Sequence, residues 1–384
     1  MDPGLVAAGL GVGILVWLTG MGAGSLMTPI LISVFGIPAS TAVGTDLVYA
    51  AITKAFGAAR HHQLKNVNRE LALTMGTAPA DISFAGPGKS VAELERAVRA
   101  GIVINVESAR ELRVIVEHAH TTGVRPKIAI RVNPDFELRG SGMKMGGGAK
   151  PFGIDQQRVP ALAREIIAAG AEWRGLHIFT GSQALDASAI IETQGNVLEL
   201  AAKLTEEIGN PLPHLNMGGG FGIPYFNGDQ PLDIAAVGAA LKERFANLPP
   251  ELTGTEFAIE LGRYLVGEAG VYLTRIVDRK ESMGRTFLVT DGGLQHQLAA
   301  SGNFGQLLRR NYPVVIAGRF SAAAEEEVTV TGCLCTPLDL LADEVMLPRA
   351  EVGDLVAIFC AGAYGLTASP TAFLSQPMAR EMLV

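Results

Sequence analysis

The stretch HLNMGGGFGIPY, residues 214–225, joins a short apolar run to three consecutive glycines, Gly218, Gly219 and Gly220. The run has the length and character of a buried strand, and the glycines follow it directly. Glycines at the carboxyl end of a strand allow backbone N–H groups to close on a phosphate without obstruction by side chains. A tight structural turn explains the same residues, so both interpretations stay open.

Strand-like and helix-like segments alternate on both sides of this stretch. The strand-like runs are ISFAG (82–86), IVINV (102–106), KIAIRV (127–132), RGLHIF (174–179), HLNMG (214–218) and EFAIE (256–260). The helix-like stretches include SVAELERAVRAG, SARELRVIVEHAHTTG, VPALAREIIAAG and ALDASAIIETQGNVLELAAKLTEEIG. This alternation predicts a parallel sheet in an α/β fold, and repeated right-handed crossovers favour a closed (β/α)8-type barrel.

The barrel pattern is incomplete, and its character changes toward the carboxyl end of the chain. We count six strand-helix units, whereas a complete barrel has eight. After about Gly270 the helical patterns fade, and the runs GVYLTRIV, TFLVTDG, EEEVTVTGCLC and DLVAIFCAG predict a C-terminal β-rich domain.

The first part of the chain has a different composition. From Pro3 to Thr45 there is no Asp, Glu, Lys, Arg or His, and this apolar length exceeds the roughly 20 residues needed to cross a bilayer. We therefore expect membrane contact through residues 5–37, with the basic flank that follows and the rest of the chain in the cytoplasm, tethered to the inner membrane. A buried helical hairpin in a soluble protein is the alternative.

The overall composition narrows the functional classes. A formal charge of −7 and the lack of a basic stripe with interleaved aromatics argue against a nucleic-acid partner. Three cysteines, Cys333, Cys335 and Cys360, are too few and too clustered for a disulfide framework, so we expect a reducing compartment. No second cysteine pair or nearby histidine completes a metal site around Cys333 and Cys335.

Further motifs stand at the ends of the predicted strands. In IELGRY (259–264), Glu260 could hold a pyridine nitrogen protonated and Arg263 suits a phosphate, although a plain ion pair explains both. In LHIFTGSQ (176–183), Phe179 could cover a cofactor ring and Ser182 could reach a phosphate, although a Phe at a strand end is commonly core. Two motifs in the predicted β-rich domain are GCLCTPLD (332–339), which contains Cys335, and GAYG (362–365), which contains Tyr364. Each residue also has a purely structural interpretation: Cys335 as a small buried thiol and Tyr364 as an aromatic residue at an interface.

As a set, these motifs resemble a known enzyme family from about residue 70 to residue 384. The motifs FAGPGK, RVNP, KPFGI, HIFTGSQ, GGGFG, ELGRY, DGG, GCLCTPLD and GAYG resemble the fold-type III pyridoxal-phosphate decarboxylases of diaminopimelate, ornithine and arginine. The resemblance is strongest to the diaminopimelate decarboxylase-like branch associated with exosortase and exopolysaccharide gene systems. It implies an alanine-racemase-like barrel, a lyase that removes the α-carboxylate of a small-molecule amino acid, and a homodimer with a shared active site.

The resemblance also implies a role for each matching residue. Cys335 would be catalytic, acting on the carbanionic intermediate from the neighbouring subunit. The cofactor, pyridoxal 5′-phosphate, would be bound by His177, Phe179, Ser182, Gly218, Gly219, Gly220, Glu260, Gly262, Arg263 and Tyr364.

The chain departs from the family pattern in three places. Phe179 stands where the family stacks a histidine on the cofactor ring, although His177 matches an upstream histidine. Thr336 follows Cys335 where the family has an acidic residue that reads the far end of the substrate, and Asp339 comes three positions later. The YAxKAN motif of the Schiff-base lysine is absent, so catalytic competence stays open.

Residues 5 to about 68 resemble a second family, the sulfite exporter TauE/SafE permeases. The segment from LTGMGAGSLMTP through AVGTD to the basic loop ending at NVN carries this resemblance. VYAAITKAF, within this segment, imitates the lysine motif, but two extra residues separate Tyr49 from Lys54. We interpret Lys54 as a membrane-boundary lysine and keep its role as the Schiff-base lysine as the alternative.

The two resemblances together predict a fused chain. We expect a transporter-like helical segment over 1–68, a barrel lacking its first two strands over 69–265, and a C-terminal β domain over 266–384. Other functions stay open: an inactive remnant that binds the cofactor, a racemase-like enzyme on a related barrel, and a permease fragment.

Overall fold

The computed structural model describes residues 77–304, 306 and 308–382. The predictions for residues 5–37 and for Lys54 lie outside this range. The described chain forms two compact units, an α/β unit of residues 77–224 and 228–261 and a β unit of residues 225–227 and 262–382. Of the helices that the structure describes, none combines the length and apolar character that a bilayer span requires.

A parallel sheet runs through the α/β unit. Its strand order is β1-β2-β3-β6-β8-β9, and β5 lies beside the end of β3. The strands are β1 (Ser83–Phe84), β2 (Val103–Val106), β3 (Lys127–Asn133), β5 (Ile154–Asp155), β6 (Glu172–Ile178), β8 (His214–Asn216) and β9 (Glu256–Ala258). A separate antiparallel ladder joins β4 (Met143–Lys144) to β7 (Gly181–Ser182).

Helices connect these strands, and local signals explain where they begin and end. They are α1 (Val91–Ala100), α2 (Ala109–Thr122), α3 (Val159–Ala168), α4 (Ala187–Ile208) and α5 (Ile234–Ala246). Before α1, Ser90 and Glu93 form a capping box, each side chain accepting from the backbone N–H of the other. Gly101 ends the same helix with a φ of 69°, a left-handed conformation that glycine adopts without strain.

Apolar side chains from both strands and helices form the core of the α/β unit. All four residues of β2 are buried, as expected for a parallel strand that is covered on both faces. Fully buried core residues include Leu94, Ile104, Leu112, Ile130, Ile166, Leu176 and Leu215.

The predicted α/β architecture is confirmed for the described residues. Each of the six predicted strand runs overlaps a strand of the parallel sheet, and the four predicted helical stretches correspond to α1 to α4. The two-residue strands β4, β5 and β7 and helix α5 were not predicted. The described sheet has β1 at one edge and β9 at the other, as a half-barrel does. The expectation that two barrel strands are missing concerns residues outside the described range.

The β unit contains a six-stranded sheet, which confirms the predicted C-terminal β-rich domain. Its order is β12-β15-β10-β11-β13-β14, and only the pair β11 and β13 is parallel among these strands. The elements are α6 (Gly262–Val266), β10 (Tyr272–Ser282), β11 (Arg285–Thr290), β12 (Val314–Ile316), β13 (Glu326–Thr331), β14 (Leu340–Leu347) and β15 (Leu355–Ile358). Met283 and Gly284, both with positive φ, form the two-residue turn that joins β10 to β11.

Candidate functional site

A row of polar side chains crosses the parallel sheet near its carboxyl end. Arg131 on β3 is paired with His177 on β6, and His177 is paired with Asn216 on β8. Directly paired residues of neighbouring strands point to the same face, so these three side chains share one side of the sheet. Glu260 comes two residues after the β9 residue that pairs with Asn216 and extends the row.

Asn216 and His177 hold the carboxylate of Glu260 at the end of this row. Asn216 Nδ2 donates to Glu260 Oε1 at 2.9 Å, and His177 Nε2 lies 3.4 Å from the same oxygen. Burial alone would raise the pKa of Glu260, but the His177 contact, the Asn216 hydrogen bond and the charge of Arg131 together lower it. The Glu260 side chain is still 42% exposed, so a charged carboxylate remains accessible to a ligand.

The three glycines after β8 have a structural reason of their own. A Cβ on Gly219 would lie 1.8 Å from the backbone oxygen of Glu260, and a Cβ on Gly220 would lie 2.5 Å from that of Gly181. Gly218 has a φ of 71°, and its N–H donates to Asn216 Oδ1 at 2.9 Å. The tight turn considered from the sequence is therefore present.

The glycine loop (residues 218–223) also has the features of an anion site. In the described part of the chain, the N–H groups of Gly219 and Gly220 donate to no other group. Backbone N–H groups left free beside small residues form concavities that accept anions. The structural interpretation and the phosphate interpretation of the glycines are thus compatible.

The loop between β6 and α4 lies against the glycine loop. The His177 and Phe179 rings are 6.5 Å apart in an edge arrangement, and a Cβ on Gly218 would lie 3.2 Å from Phe179 Cδ2. Ser182 is half-buried in β7, where it pairs with Met143. The structure thus brings His177, Phe179 and the glycines together in the α/β unit.

Gln183 connects the two loops and was not identified from the sequence. Its Nε2 donates to Ile223 O at 2.6 Å, and Ile223 N–H donates to its Oε1 at 3.2 Å. Gln183 adopts a φ of 64°, which a non-glycine residue rarely does and which suggests that the contact is under constraint. Its place after Ser182 in the TGSQ motif gave no sign of this role, because the partner lies 40 residues away.

A buried ionic cluster adjoins Arg131, next to the ends of β1 and β2. Lys89 Nζ donates to Gly86 O at 2.6 Å and to Glu111 Oε2 at 3.1 Å, and Arg131 NH1 donates to Glu107 Oε1 at 3.1 Å. Burial lowers the pKa of Lys89, and the charges of Glu111 and Glu107 offset part of that effect. The sequence analysis assigned no role to Lys89, whose side chain is committed to these partners.

In the β unit, two tyrosines hold Arg263, which follows Gly262 in α6. Arg263 NH1 donates to the Tyr225 hydroxyl at 2.6 Å. Its guanidinium carbon lies 5.4 Å from the Tyr225 ring centroid and 4.6 Å from that of Tyr364, distances typical of cation–π contacts. Burial raises the pKa of Tyr225, while Arg263 acts in the opposite direction. The predicted residues Arg263 and Tyr364 are therefore neighbours, and Tyr225 was not anticipated.

Cys335 lies in the loop of residues 332–339, which a buried carboxylate closes. Cys335 itself is exposed, so it is not the buried thiol considered from the sequence. Asp339 is 3% exposed, and its carboxylate accepts from the N–H of Leu294 at 2.7 Å and from that of Leu334 at 2.8 Å. Burial raises the pKa of Asp339, although the two N–H donors act against it. We call these contacts the Asp339 clasp.

Comparison with known proteins identifies the family. Residues 66–267 match the model of the pyridoxal-dependent decarboxylase pyridoxal binding domain. The chain belongs to the pyridoxal-dependent decarboxylase family. Residues 5–88 also match the sulfite exporter TauE/SafE model, which agrees with the resemblance noted at the amino end.

Individual relatives agree with this assignment. The chain is 38% identical over 322 residues to the L-glutamyl-[BtrI acyl-carrier protein] decarboxylase of Niallia circulans, covering 82% of this chain and 75% of that protein. It is 34% identical over 307 residues to the diaminopimelate decarboxylase of Archaeoglobus fulgidus, covering 79% and 71%. The crystal structure of Helicobacter pylori diaminopimelate decarboxylase complexed with L-lysine matches with a TM-score of 0.69 and 26% identity, covering 81% of this chain and 75% of that one.

Pyridoxal 5′-phosphate is the cofactor of this family, and residues of the α/β unit fit it. A charged Glu260 offers the partner that a protonated pyridine nitrogen requires. The free N–H groups of Gly219 and Gly220 suit its phosphate. Within the described residues, no group of three His, Cys, Asp or Glu side chains could hold a metal ion.

Proposed function

We propose that this chain is a decarboxylase for an amino acid whose far end carries no charge. The observation that carries the proposal is the loop after Cys335. The resemblance implies an acidic residue that reads the substrate's far end, and this chain has Thr336 there. The single carboxylate of residues 332–339 is Asp339, and it already accepts two backbone N–H groups. A distal ammonium group would therefore find no charged partner in this loop.

An aminoacyl group carried by another molecule is the substrate class that we favour. The name of the Niallia circulans relative states that it acts on a glutamyl group attached to an acyl-carrier protein. If the glutamyl group is joined to its carrier through the distal carboxyl, the α-carboxylate stays free to leave as CO₂ and the far end carries no charge. A neutral residue at position 336 suits such a substrate better than it suits a diamino acid. The side chain of Thr336 accepts from Leu338 N–H at 3.3 Å, a local contact that leaves the loop uncharged here.

The proposed roles of the residues follow from their chemistry. The cofactor, when bound, supplies an electron sink for the electron pair of the broken bond between Cα and the carboxylate. Glu260 would accept a hydrogen bond from the ring nitrogen and keep that nitrogen protonated. The N–H groups of Gly219 and Gly220 would hold the phosphate, and Cys335 would donate a proton from Sγ to Cα.

The proposal also retains the remaining expectations from the sequence. It includes a homodimer in which Cys335 acts in the neighbouring subunit's site. Tyr364, expected from the sequence to act there too, lies beside Arg263 of its own chain, so we propose that it contacts the cofactor of its own subunit. The proposal also includes phosphate binding by Arg263 and Ser182, ring contact by Phe179, and the membrane tether of residues 5–37.

One experiment tests whether the chain anchors its cofactor. The purified full chain is incubated with pyridoxal phosphate and reduced with borohydride, and the labelled peptide is mapped by mass spectrometry. A single label on Lys54 that is lost in Lys54→Ala would support an active enzyme. Labels absent, or scattered over surface lysines, would oppose it and favour an inactive protein that binds the cofactor, an alternative motivated by the missing lysine motif.

A second experiment tests the substrate class by measuring release of CO₂. We expect release from a carrier protein that bears glutamate as a thioester of the side-chain carboxyl, and none from diaminopimelate, ornithine or arginine. The variant Thr336→Glu should lower activity on the thioester, and Thr336→Val, the neutral control, should retain it. Release from a diamino acid by the unaltered chain would overturn the proposal.

A further inference from the structure

Gln194 is a polar side chain buried in an otherwise apolar face of α4. It is 5% exposed, and its neighbours on that face include the buried residues Ile190, Val197 and Leu198. Neither Gln194 Oε1 nor Nε2 has a hydrogen-bond partner among the described protein groups. Because an unpaired buried amide loses its hydration without compensation, such groups in folded proteins are nearly always satisfied, often by an ordered water.

A small cavity is lined by both Gln194 and residues of the glycine loop. Its volume is about 10 Å³, and its lining includes Gln194, Thr193, Thr180, Gly218 and Gly219. This volume is about the minimum for one water molecule. Because Gly218 and Gly219 line the cavity, a water there would lie against the glycine loop.

The lining provides the partners that a buried water requires. The Gln194 amide can donate through Nε2 and accept through Oε1. The Thr193 hydroxyl already donates to Ala189 O at 2.8 Å, so its oxygen remains able to accept a further hydrogen bond. A buried water makes about three hydrogen bonds, and these groups, with the hydroxyl of Thr180, are sufficient in number.

We propose that this cavity is a specific site for one water molecule. Gln194 and this water together hold the glycine loop in its position on the side that lines the cavity. The loop is fixed from another side by the close approach of Gly219 to Glu260 O. Gln194 is thus a positioning residue for the N–H groups of the loop. Its effect on the cofactor rests on the phosphate role proposed above, whereas the water site does not.

The sign of a stability change tests the water site. Gln194→Leu removes the amide at nearly constant volume. If a water satisfies the amide, the variant loses those hydrogen bonds, and we expect the melting temperature to fall by about 2–4 °C. If the cavity is dry, the variant removes an unsatisfied group, and the melting temperature should rise, which would overturn the proposal.

A matched pair on the same helix serves as the control. Glu199 is exposed on α4, so comparing Glu199→Gln with Glu199→Leu measures the effect of exchanging Gln for Leu in this helix without the cavity. A crystal structure provides a direct readout. Electron density for a water at hydrogen-bond distance from Gln194 supports the proposal, and its absence beside a well-ordered side chain contradicts it.

Ligand titration separates the positioning role from the proposed function. Pyridoxine 5′-phosphate carries the phosphate but no aldehyde, so its binding requires no lysine. We expect Gln194→Leu to weaken it by about 2–12-fold, the equivalent of one net hydrogen bond, and to leave binding of unphosphorylated pyridoxine unchanged. Equal weakening of both ligands, or no weakening, would refute the positioning role. Failure of the unaltered chain to bind pyridoxine 5′-phosphate would refute the phosphate loop and leave the water site to be judged by the other two measurements.

Discussion

Removing the Asp339 carboxylate should destabilise the β unit strongly. Asp339→Ala leaves the N–H groups of Leu294 and Leu334 without the acceptor that they reach at 2.7 and 2.8 Å. Each unsatisfied buried donor costs about 1–3 kcal/mol, so we expect a loss of about 2–6 kcal/mol in the free energy of unfolding. Asp339→Asn retains the shape and one acceptor oxygen, and it should lose about 1–3 kcal/mol, because its amide nitrogen faces the second N–H.

Denaturant unfolding measures the loss, and two further readouts locate it. Hydrogen exchange at Leu294 and Leu334 should accelerate in Asp339→Ala. Alkylation of Cys335, measured with the other two cysteines replaced by serine, should change in rate because the clasp orders its loop. Asp343→Ala is the control, since Asp343 pairs with Arg285 on the same sheet with 38% of its side chain exposed, and exposed pairs contribute about 1 kcal/mol or less.

The pH dependence provides an independent check of the clasp. Because burial raises the pKa of Asp339, the folded state retains a proton that the unfolded state has released. Above the ordinary aspartate pKa of 3.8, this group's contribution to stability therefore falls with rising pH until the raised pKa is passed. The stability difference between the parent and Asp339→Asn should shrink over that interval. Equal stability of parent and Asp339→Ala, or a loss no larger than that of Asp343→Ala, would refute the reasoning.

Three further predictions concern other contacts. Gly219→Ala places a Cβ 1.8 Å from Glu260 O, and we expect a loss of about 1–3 kcal/mol in unfolding together with weaker binding of pyridoxine 5′-phosphate. Gln183→Gly and Gln183→Ala both remove the two hydrogen bonds between Gln183 and Ile223 of the glycine loop. Only the glycine variant also relieves the strain of the positive φ, so similar weakening of pyridoxine 5′-phosphate binding in titrations of both variants would show that the hydrogen bonds matter and not the strain. Arg279 donates to both oxygens of Glu326 at 2.7 Å and lowers the pKa of Glu326. We expect Glu326→Gln to lose roughly 1 kcal/mol in the free energy of unfolding, measured with urea at pH 7. This loss should vanish as the pH falls below the depressed pKa of Glu326.

The parts of the fold that local patterns encode could be predicted from the sequence. The VINV run of β2 is wholly buried, and the predicted helical stretch SVAELERAVRAG forms α1 with its cap at Ser90 and its end at Gly101. The strands β4, β5 and β7 contain two residues each, too few to show any periodicity. They form only where a distant segment supplies a partner, as Ser182 does for Met143.

The same distinction applies to the site. Glu260 and the three glycines were proposed as site residues because they stand at the carboxyl ends of predicted strands, where parallel strands place functional groups. Gln183 and Asp339 were not assigned their contacts, because their partners lie 40 and 45 residues away in the sequence. From the sequence, Asp339 was noted as the acidic residue that comes three positions after Thr336. In the structure its carboxylate accepts hydrogen bonds from the backbone N–H groups of Leu294 and Leu334.

The structure also bears on where the two families meet in this chain. The TauE/SafE match covers residues 5–88 and the decarboxylase match covers 66–267, so the two overlap. Ser83 and Phe84 pair in parallel with Val103 and Ile104 in the sheet of the α/β unit. The boundary near residue 68, which stays a prediction, would leave this strand in the decarboxylase part.

Lys89, just after that strand, is a poor substitute for the missing lysine of the family. A cofactor aldehyde requires a neutral amine, and burial does favour that form of Lys89. However, its ammonium donates to Gly86 O and Glu111 and lies 3.9 Å from Glu107, and removing one member of a buried ion pair costs about 3–5 kcal/mol. A bond between Lys89 and the cofactor aldehyde would have to offset the cost of breaking this buried ion pair. An exposed lysine has no such ion pair to break. The residues that fit the ring nitrogen and phosphate lie on β6, β8 and β9 and in their loops, so their contacts do not depend on which lysine holds the aldehyde.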